Sequence, residues 1–363
     1  MTNKKYAELL VNYCLNIQEG DKLLIQSTTL AEDLVREVYK VALKSGAFPE
    51  VELRFRGQNR IFFEEASDSQ LNYISPINKL YIDSFDAYLS IRAPFNLKEE
   101  ANVDPQKRIR RAGATKKLSE TFARRTGNGA LKRSLCQYPT DACAQEAGMS
   151  LDEYREFVFK ACYLNLDNPN DRWLEIRKEQ QKIVDFLNDR SSLRYVNERS
   201  DITFSVEGRT WINSDGRVNM PSGEVFTGPV EDSLNGRVFF DYPSIYMGKE
   251  VSGVSFEVKD GRIERWSADK GEEVLDEIMK IDGARYFGEA AIGTNYNIDK
   301  PTKNILFDEK IGGTIHMAVG QSYLNTGGKN ESTIHWDLIA DMTKGGQIYA
   351  DDSLVYENGQ FLI

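Results

Sequence analysis

The sequence predicts an α/β N-terminal domain with alternating helices and strands, followed by a β-rich α+β C-terminal domain. Up to about residue 195, segments with helical spacing of apolar residues alternate with short extended segments. Beyond that point apolar and polar residues alternate, and Asp-Gly and Asn-Gly pairs separate the segments as in β-hairpins. A length of 363 residues also favours two domains over one. We therefore divide the chain into residues 1–195 and 196–363.

The elements of the first half follow from apolar spacing and from glycines that end helices. Apolar side chains from Tyr6 to Ile17 recur at helical spacing, and this helix ends by Gly20. The remaining segments, in chain order, are a strand at 21–28, a helix at 30–47, strands at 49–55 and 85–93, and helices at 104–126 and across 139–190. This alternation is typical of an α/β layer.

The second half reads as strands joined by tight turns. The segments "DITFSVEG", "VSFEVKDGRIERWSA" and "GGQIYADDSLVYENGQFLI" alternate apolar and polar residues on either side of turn dipeptides. The segments around the two histidines show the same alternation. We therefore expect residues 196–363 to be predominantly β-structure.

Composition excludes several classes of protein. The formal net charge is −10, so neither nucleic acid phosphates nor an anionic membrane surface is an expected partner of the whole molecule. The first 21 residues lack the apolar core of a signal peptide, and no run of 18 apolar residues occurs. The four cysteines show no CxxC spacing, so we expect reduced, mostly buried thiols in a cytoplasmic protein.

A basic stretch at 107–125 departs from this acidic balance, with a net charge of +7. The simplest interpretation is the solvated face of a helix. A contact with an acidic subunit surface, or attraction for the anionic end of a substrate, is the alternative. The stretch lacks the repeated interleaving of aromatic residues that a single-strand nucleic acid groove shows.

The chain has only two histidines, and both lie in β-patterned segments. In an extended "IHWDLI" segment, His335 and Asp337 share one face, opposite Trp336 and Leu338. In "GGTIHMAVG", His316 lies on the face of small and polar residues, opposite isoleucine, methionine and valine. Acidic residues flank both, namely Glu309 before His316 and Asp337 after His335. This composition indicates a metal site, although a lone histidine is more often structural.

Two further carboxylates lie in apolar surroundings. Glu224 is placed among glycines and prolines in "MPSGEVFTGP", and Glu289 precedes two alanines in "GEAAIG". A buried carboxylate is costly unless it is paired or binds metal, and neither segment supplies a lysine or arginine. HExxH, GxSxG, Walker and complete GxGxxG motifs are all missing from the sequence.

Four segments in this order resemble the aminopeptidase T and aminopeptidase S family of metal-dependent, thermophilic-type aminopeptidases. They are "MPSGEVFTGPVEDSLNG", "GEAAIGTN", "DEKIGGTIHMAVGQSY" and "IHWDLI". The resemblance covers roughly 220–340, while the N-terminal half is similar only in layout. It implies a metalloaminopeptidase in which Tyr323 is a catalytic hydroxyl facing the reacting carbonyl. It implies that the metal ligands are Glu224, Glu289, Glu309, His316, His335 and Asp337.

The charges of the implied ligands agree with two divalent ions per chain. Four carboxylates and two neutral imidazoles balance two divalent cations, and ligation by oxygen and nitrogen suits zinc, cobalt or manganese. Such a pair activates a water molecule and polarises the scissile carbonyl. A carboxylate at the metal pair could act as the general base, and Glu231 is a further candidate.

The expected function is therefore hydrolysis of the N-terminal peptide bond of short peptides. The resemblance also suggests a homodimer whose subunits together enclose the site. A metal-dependent amidase or other hydrolase acting on a non-peptide substrate is the alternative within enzymes. A non-catalytic metal-binding protein is the alternative outside them, although structural sites are usually closed by four ligands, often thiolates.

Overall fold

A computed structural model describes residues 2–363, and their contacts form two compact units. The first unit is the chain up to Asn170 together with Gly216–Pro221, and the second is Asp171–Asp215 together with Ser222–Ile363. The first is built on a parallel sheet with helices, and the second is rich in strands. The predicted sequence of an α/β region followed by a β-rich region is thus confirmed.

The first unit contains a five-stranded parallel sheet in the order β2-β1-β3-β4-β8. Its strands, numbered along the chain, are β1 (Lys22–Thr28), β2 (Phe48–Arg54), β3 (Ala87–Arg92), β4 (Lys132–Gln137) and β8 (Asn219–Met220). Its helices are α1 (Thr2–Glu8), α2 (Glu32–Lys44), α3 (Gln58–Glu65), α4 (Asp68–Asn72), α5 (Pro76–Ser84), α6 (Pro105–Gly127), α7 (Asp141–Glu146) and α8 (Leu151–Ala161). A π-helical segment, Leu9–Cys14, continues α1. The predicted segments at 21–28, 30–47, 49–55, 85–93 and 104–126 are confirmed.

Basic residues of α6 bind the ends of three shorter helices. Lys107, Arg111 and Arg125 donate hydrogen bonds to main-chain carbonyls of Phe63 and Glu64 in α3, of Leu71 and Tyr73 at the end of α4, and of Ile82 in α5. These C-terminal carbonyls have no partner within their own helices and carry partial negative charge. The expectation of a solvated helix face is therefore wrong for these three side chains, which act as C-terminal caps.

The second unit contains an eight-stranded and a five-stranded sheet. The eight-stranded sheet has the order β14-β13-β10-β6-β5-β18-β19-β20, and the five-stranded sheet the order β17-β16-β15-β9-β7. The strands are β5 (Ser192–Val196), β6 (Asp201–Ser205), β7 (Ile212–Ser214), β9 (Glu224–Thr227), β10 (Asn235–Phe240), β11 (Ser244–Tyr246), β12 (Lys249–Val251), β13 (Val254–Lys259), β14 (Arg262–Ser267), β15 (Phe287–Gly293), β16 (Thr314–Gly320), β17 (His335–Asp341), β18 (Gln347–Ala350), β19 (Ser353–Glu357) and β20 (Gln360–Phe361). The helices are α9 (Pro169–Asn188), α10 (Glu272–Ile278) and α11 (Ile305–Asp308).

One hydrophobic core joins the two sheets of the second unit. It includes Ile202 and Phe256 from the eight-stranded sheet and Met317 and Leu338 from the five-stranded sheet. Phe256 also contacts Phe287 of β15, with 6.0 Å between the ring centroids. One face of the five-stranded sheet therefore packs in the hydrophobic core.

Two of the predicted turns have the backbone that a tight hairpin requires. Asp260 and Gly261 join β13 to β14, and Asn358 and Gly359 join β19 to β20, all with positive φ. Positive φ at both central residues defines the type I′ turn, whose twist matches that of paired strands. The Asp-Gly and Asn-Gly signals are thus confirmed.

The contacts divide the chain earlier than the sequence-based boundary at residue 195. Helix α9 packs into the second unit, where Val184 and Leu187 belong to its core. An amphipathic pattern shows that a helix buries one face, but not which core receives that face. Within residues 2–363, no helix has both the length and the hydropathy that a membrane crossing requires.

Candidate metal centre

The five-stranded sheet separates two kinds of side chain onto its two faces. In β16, Ile315, Met317 and Val319 belong to the core, whereas His316 lies on the opposite face. In β17, Trp336, Leu338 and Ala340 belong to the core, whereas His335 and Asp337 alternate with them. This follows from the two-residue period of an extended strand. The predicted faces of both histidine segments are confirmed.

Strand register brings the acidic residues of neighbouring strands side by side. Ala318 of β16 is paired with Glu289 of β15 on one side and with Asp337 of β17 on the other. Glu224 is paired with Gly293 at the other end of β15. Because Ala318 carries only a methyl group, the space between the two carboxylates is left open.

Close backbone approach at one end of the sheet orients His335. Gly320 has a φ of +99°, and a Cβ atom there would lie 2.1 Å from the carbonyl oxygen of Ile334. A Cβ atom at Gly288 would lie 2.4 Å from the carbonyl oxygen of Gln321. That carbonyl lies 2.7 Å from His335 Nδ1, and as its hydrogen-bond acceptor it directs Nε2 toward the acidic residues.

Six side chains form what we call the carboxylate–imidazole cluster: Glu224, Glu289, Glu309, His316, His335 and Asp337. Glu289, His316 and Asp337 each offer a ligand atom, and these three atoms lie within 4.8 Å of one another. His335 Nε2 lies 3.1 Å from Glu289 Oε2 and 3.6 Å from Asp337 Oδ1. His316 Nε2 lies 3.4 Å from Glu224 Oε2 and 3.6 Å from Glu289 Oε1.

Glu309 joins the cluster together with a lysine that the sequence analysis did not assign. Lys310 is fully buried, its Nζ atom is bonded to Glu309 Oε1, and it lies 3.4 Å from Glu224 Oε1. The sequence analysis counted only the segments around Glu224 and Glu289, which lack basic residues. The fold brings Lys310 to Glu224 from the segment after α11, so the cation that accompanies this carboxylate comes from a distant part of the chain. The available signal was a lysine flanked by Glu309 and by the apolar, glycine-rich "IGG".

The charges of the cluster raise the pKa of both imidazoles and, against the effect of burial, lower the pKa of Glu289 and Asp337. Burial opposes protonation of the imidazoles, but Glu289, Glu224 and Asp337 outweigh it at His316 and raise its pKa to about 9. Asp337 and Glu289 likewise raise the pKa of His335 to about 12. Burial and the neighbouring carboxylates raise the pKa of Glu309 to about 8, although Lys310 works against this. The carboxylates thus favour the charged form of the two imidazoles, and the imidazoles favour the charged form of Glu289 and Asp337.

Several buried polar atoms of the cluster lack a hydrogen-bond partner among residues 2–363. They are Glu224 Oε2, Asp337 Oδ1 and His316 Nδ1. Leaving a buried carboxylate oxygen without a donor is costly, so such atoms need another partner. A divalent cation suits these oxygens and the four carboxylates grouped around them, and an oxygen and nitrogen donor set is usual for zinc, cobalt or manganese. The residues therefore fit a metal; that they bind one stays a prediction.

Tyr323 lies directly beside the cluster. Its ring centroid is 4.8 Å from that of His335 and 5.5 Å from that of Phe226. Burial and the surrounding carboxylates raise the pKa of its hydroxyl, which therefore remains a hydrogen-bond donor. In the isolated chain 45% of the residue is exposed, so the site is open on this side.

Glu231, the further candidate for a general base, is engaged elsewhere. Its Oε2 atom lies 2.5 Å from Arg209 Nη2, and its Oε1 atom accepts a hydrogen bond from the Lys329 main chain. Burial opposes ionisation, but these partners outweigh it and lower the pKa of Glu231. The arrangement ties three loop segments together and engages both carboxylate oxygens.

A buried group of carboxylates and imidazoles with unpartnered oxygens, next to a neutral hydroxyl, is typical of metal-dependent hydrolases. The family described as thermophilic metalloprotease, M29, matches residues 2–361, and the chain belongs to this family. It is accordingly a metal-dependent aminopeptidase, as the names of its relatives also indicate.

Individual relatives match over nearly the whole chain. Aminopeptidase 2 of Geobacillus stearothermophilus is 30% identical over 379 residues, covering 92% of this chain and 90% of the relative. Aminopeptidase AmpS of Bacillus subtilis is 27% identical, covering 98% and 97%. The solved structure of wild-type AmpT from Thermus thermophilus has a TM-score of 0.85 at 23% identity, covering 100% of this chain and 99% of that one, and thus shares the fold.

Proposed function

We propose that this enzyme removes N-terminal residues from short peptides with two divalent cations held by the carboxylate–imidazole cluster. The observation that carries the proposal is the set of buried carboxylate oxygens without donors, in a cluster with more carboxylates than basic groups. All six side chains of the cluster would hold the ions. When bound, such ions lower the pKa of a water molecule and polarise the scissile carbonyl.

The charges of the cluster support two ions once the positive charge of Lys310 is included. The four carboxylates carry four negative charges, and Lys310 offsets one of them, which the count from the sequence omitted. With neutral imidazoles, two divalent cations leave one positive charge in excess, which favours an anionic transition state. One divalent cation would leave one negative charge in excess.

Each residue beside the cluster has a distinct part in the proposed reaction. The Tyr323 hydroxyl would donate a hydrogen bond to the oxygen on which negative charge develops. A carboxylate of the cluster would take the proton from water, and we favour it over Glu231, whose oxygens are engaged by Arg209 and Lys329. The substrate's α-amino group, in its neutral form, could also be held by the bound ions, which supports amino-terminal specificity.

We further propose a homodimer that covers the open side of the site. Tyr323 is 45% exposed and Leu324, next to it, is 85% exposed. A neutral hydroxyl acts best in a dry site, and an apolar side chain at the rim suits contact with another protein surface. Leu324→Glu should therefore shift a dimer toward the monomer in sedimentation velocity, whereas Leu354→Glu on β19 should not.

A cytoplasmic location agrees with the thiols of the first unit. All four cysteines, Cys14, Cys136, Cys143 and Cys162, are free and buried. Such thiols are usual in reducing compartments. Fractionation of cells that express the chain would test the location.

The decisive test combines metal content with substrate specificity. Gently purified protein would be analysed for divalent metals and assayed on short peptides with free or acetylated amino ends, with and without chelator. Nearly two ions per chain, with chelator-sensitive release only from free amino ends, would support the proposal. Turnover of acetylated peptides or simple amides alone would favour a metal-dependent amidase. No stoichiometric metal and no release would contradict both.

A further inference from the structure

Lys310 divides the carboxylate–imidazole cluster into two unlike ends. At one end its ammonium group is bonded to Glu309 and lies 3.4 Å from Glu224 Oε1, and none of its side chain is exposed. At the other end lie Glu289 and Asp337, which have histidines as their ionic partners. His316 stands between the ends, with its Nε2 atom 3.4 Å from Glu224 and 3.6 Å from Glu289.

The clustering of ligand atoms follows the same division. Within residues 2–363, Glu289, His316 and Asp337 each offer a ligand atom, and these three atoms lie within 4.8 Å of one another. Glu224 and Glu309 are not part of that group, and each already has an ammonium partner. A carboxylate oxygen that faces an ammonium is a poorer ligand, because a second cation there is repelled by the first.

We propose that Lys310 makes the two cation positions unequal. The position at Glu289, His316 and Asp337 binds its ion tightly. The position at Glu224 and Glu309 binds its ion weakly, because the fixed ammonium of Lys310 repels the ion and occupies its ligands. This inference rests on the two-ion function proposed above. It implies that occupancy of the weak position, and with it turnover, follows the concentration of free metal.

The test is a titration of the chelator-treated full chain with Co²⁺, followed by calorimetry and by visible absorption. For the native sequence we expect two binding steps whose dissociation constants differ at least tenfold. Lys310→Met should strengthen the weaker step at least tenfold and leave the tighter step unchanged. Lys310→Arg retains the positive charge and should keep the weak step.

Removal of Lys310 could prevent folding, because it leaves two buried carboxylates without their cation. Lys310→Gln is the second variant, since its amide can still donate to Glu224 or Glu309. It should strengthen the weaker step as Lys310→Met does. Circular dichroism of each chelator-treated variant would establish that it is folded.

The remaining outcomes separate this inference from the two-ion function. One outcome is that the native chain, Lys310→Met and Lys310→Gln all show two binding steps with the same dissociation constants in each protein. That result overturns the role of Lys310 and leaves the two-ion function standing. One ion in the native chain but two in the uncharged variants supports the role of Lys310 and overturns two-ion occupancy of the native enzyme. One ion, or none, in every protein overturns both.

Discussion

The two faces of the five-stranded sheet are built from the same strands and follow opposite rules. The core face presents Met317 and Leu338, both fully buried in one apolar cluster. The site face presents His316 and Asp337, whose buried polar atoms are in part unpartnered. Apolar burial stabilises the fold, whereas buried groups without partners destabilise it until they bind a ligand. Neighbouring residues of a single strand therefore contribute separately to stability and to function.

The largest effect is expected from the site face at Glu289. Glu289→Gln removes a charge that faces both histidines, and we expect kcat/KM for N-terminal release to fall by about 10³-fold or more, equivalent to about 4 kcal/mol of transition-state stabilisation. The measurement is steady-state kinetics on a short peptide. Glu264→Gln, at an exposed position of strand β14, is the control and should have native activity. Native turnover in Glu289→Gln would remove this residue from the site.

Tyr323→Phe tests a single hydroxyl on the same face. Loss of one donor to a developing oxyanion typically lowers kcat by about 10²–10³-fold, and we expect a loss in that range. Metal content should stay native, because phenylalanine retains the ring that contacts His335. Kinetics and elemental analysis of the same sample would check both. If kcat is unchanged, Tyr323 is not the oxyanion donor.

Leu338→Ala tests the core face one residue from Asp337. Truncating a fully buried leucine typically costs about 2–5 kcal/mol of unfolding free energy, and we expect a loss in that range. Turnover per folded molecule should be native, since the side chain lies opposite the site. Denaturant unfolding and active-site-normalised kinetics are the measurements. A large fall in kcat with little loss of stability would contradict the assignment of stability to the core face and of activity to the site face.

A smaller effect is expected from filling the space between Glu289 and Asp337. Ala318→Val adds two methyl groups beside the paired carboxylates, and we expect metal affinity to weaken by about 10–100-fold, as when groups that orient ligands are disturbed. Ile315→Val, on the core face of the same strand, is the matched control. It should cost only about 0.5–1.5 kcal/mol of stability and leave metal affinity unchanged. Equal metal affinities in the two variants would contradict the distinction.

Local patterns in the sequence were sufficient for the strands of the site. Alternation in the segments of His316 and His335 predicted which residues share a face, because the two-residue period is a property of each strand alone. The turn signals at Asp260 and Asn358 succeeded for the same reason.

Features that depend on distant contacts could not be obtained in this way. Lys310 reaches Glu224 across 86 positions of the chain, and no local pattern encodes that approach. The carbonyl of Gln321 that orients His335 and the core that receives α9 are further examples. The sequence shows the basic residues of α6 but not their partners. Those partners are main-chain carbonyls, which every residue type has, so no sequence pattern identifies them.

The capping of α3, α4 and α5 by α6 has a consequence for how the first unit opens. These three helices have only 8, 5 and 9 residues, too few to be stable alone, and α6 has 23. Because Lys107, Arg111 and Arg125 lie along one helix, loss of α6 would release all three shorter helices together. Their amide protons should therefore exchange with solvent as one cooperative group whose protection follows that of α6.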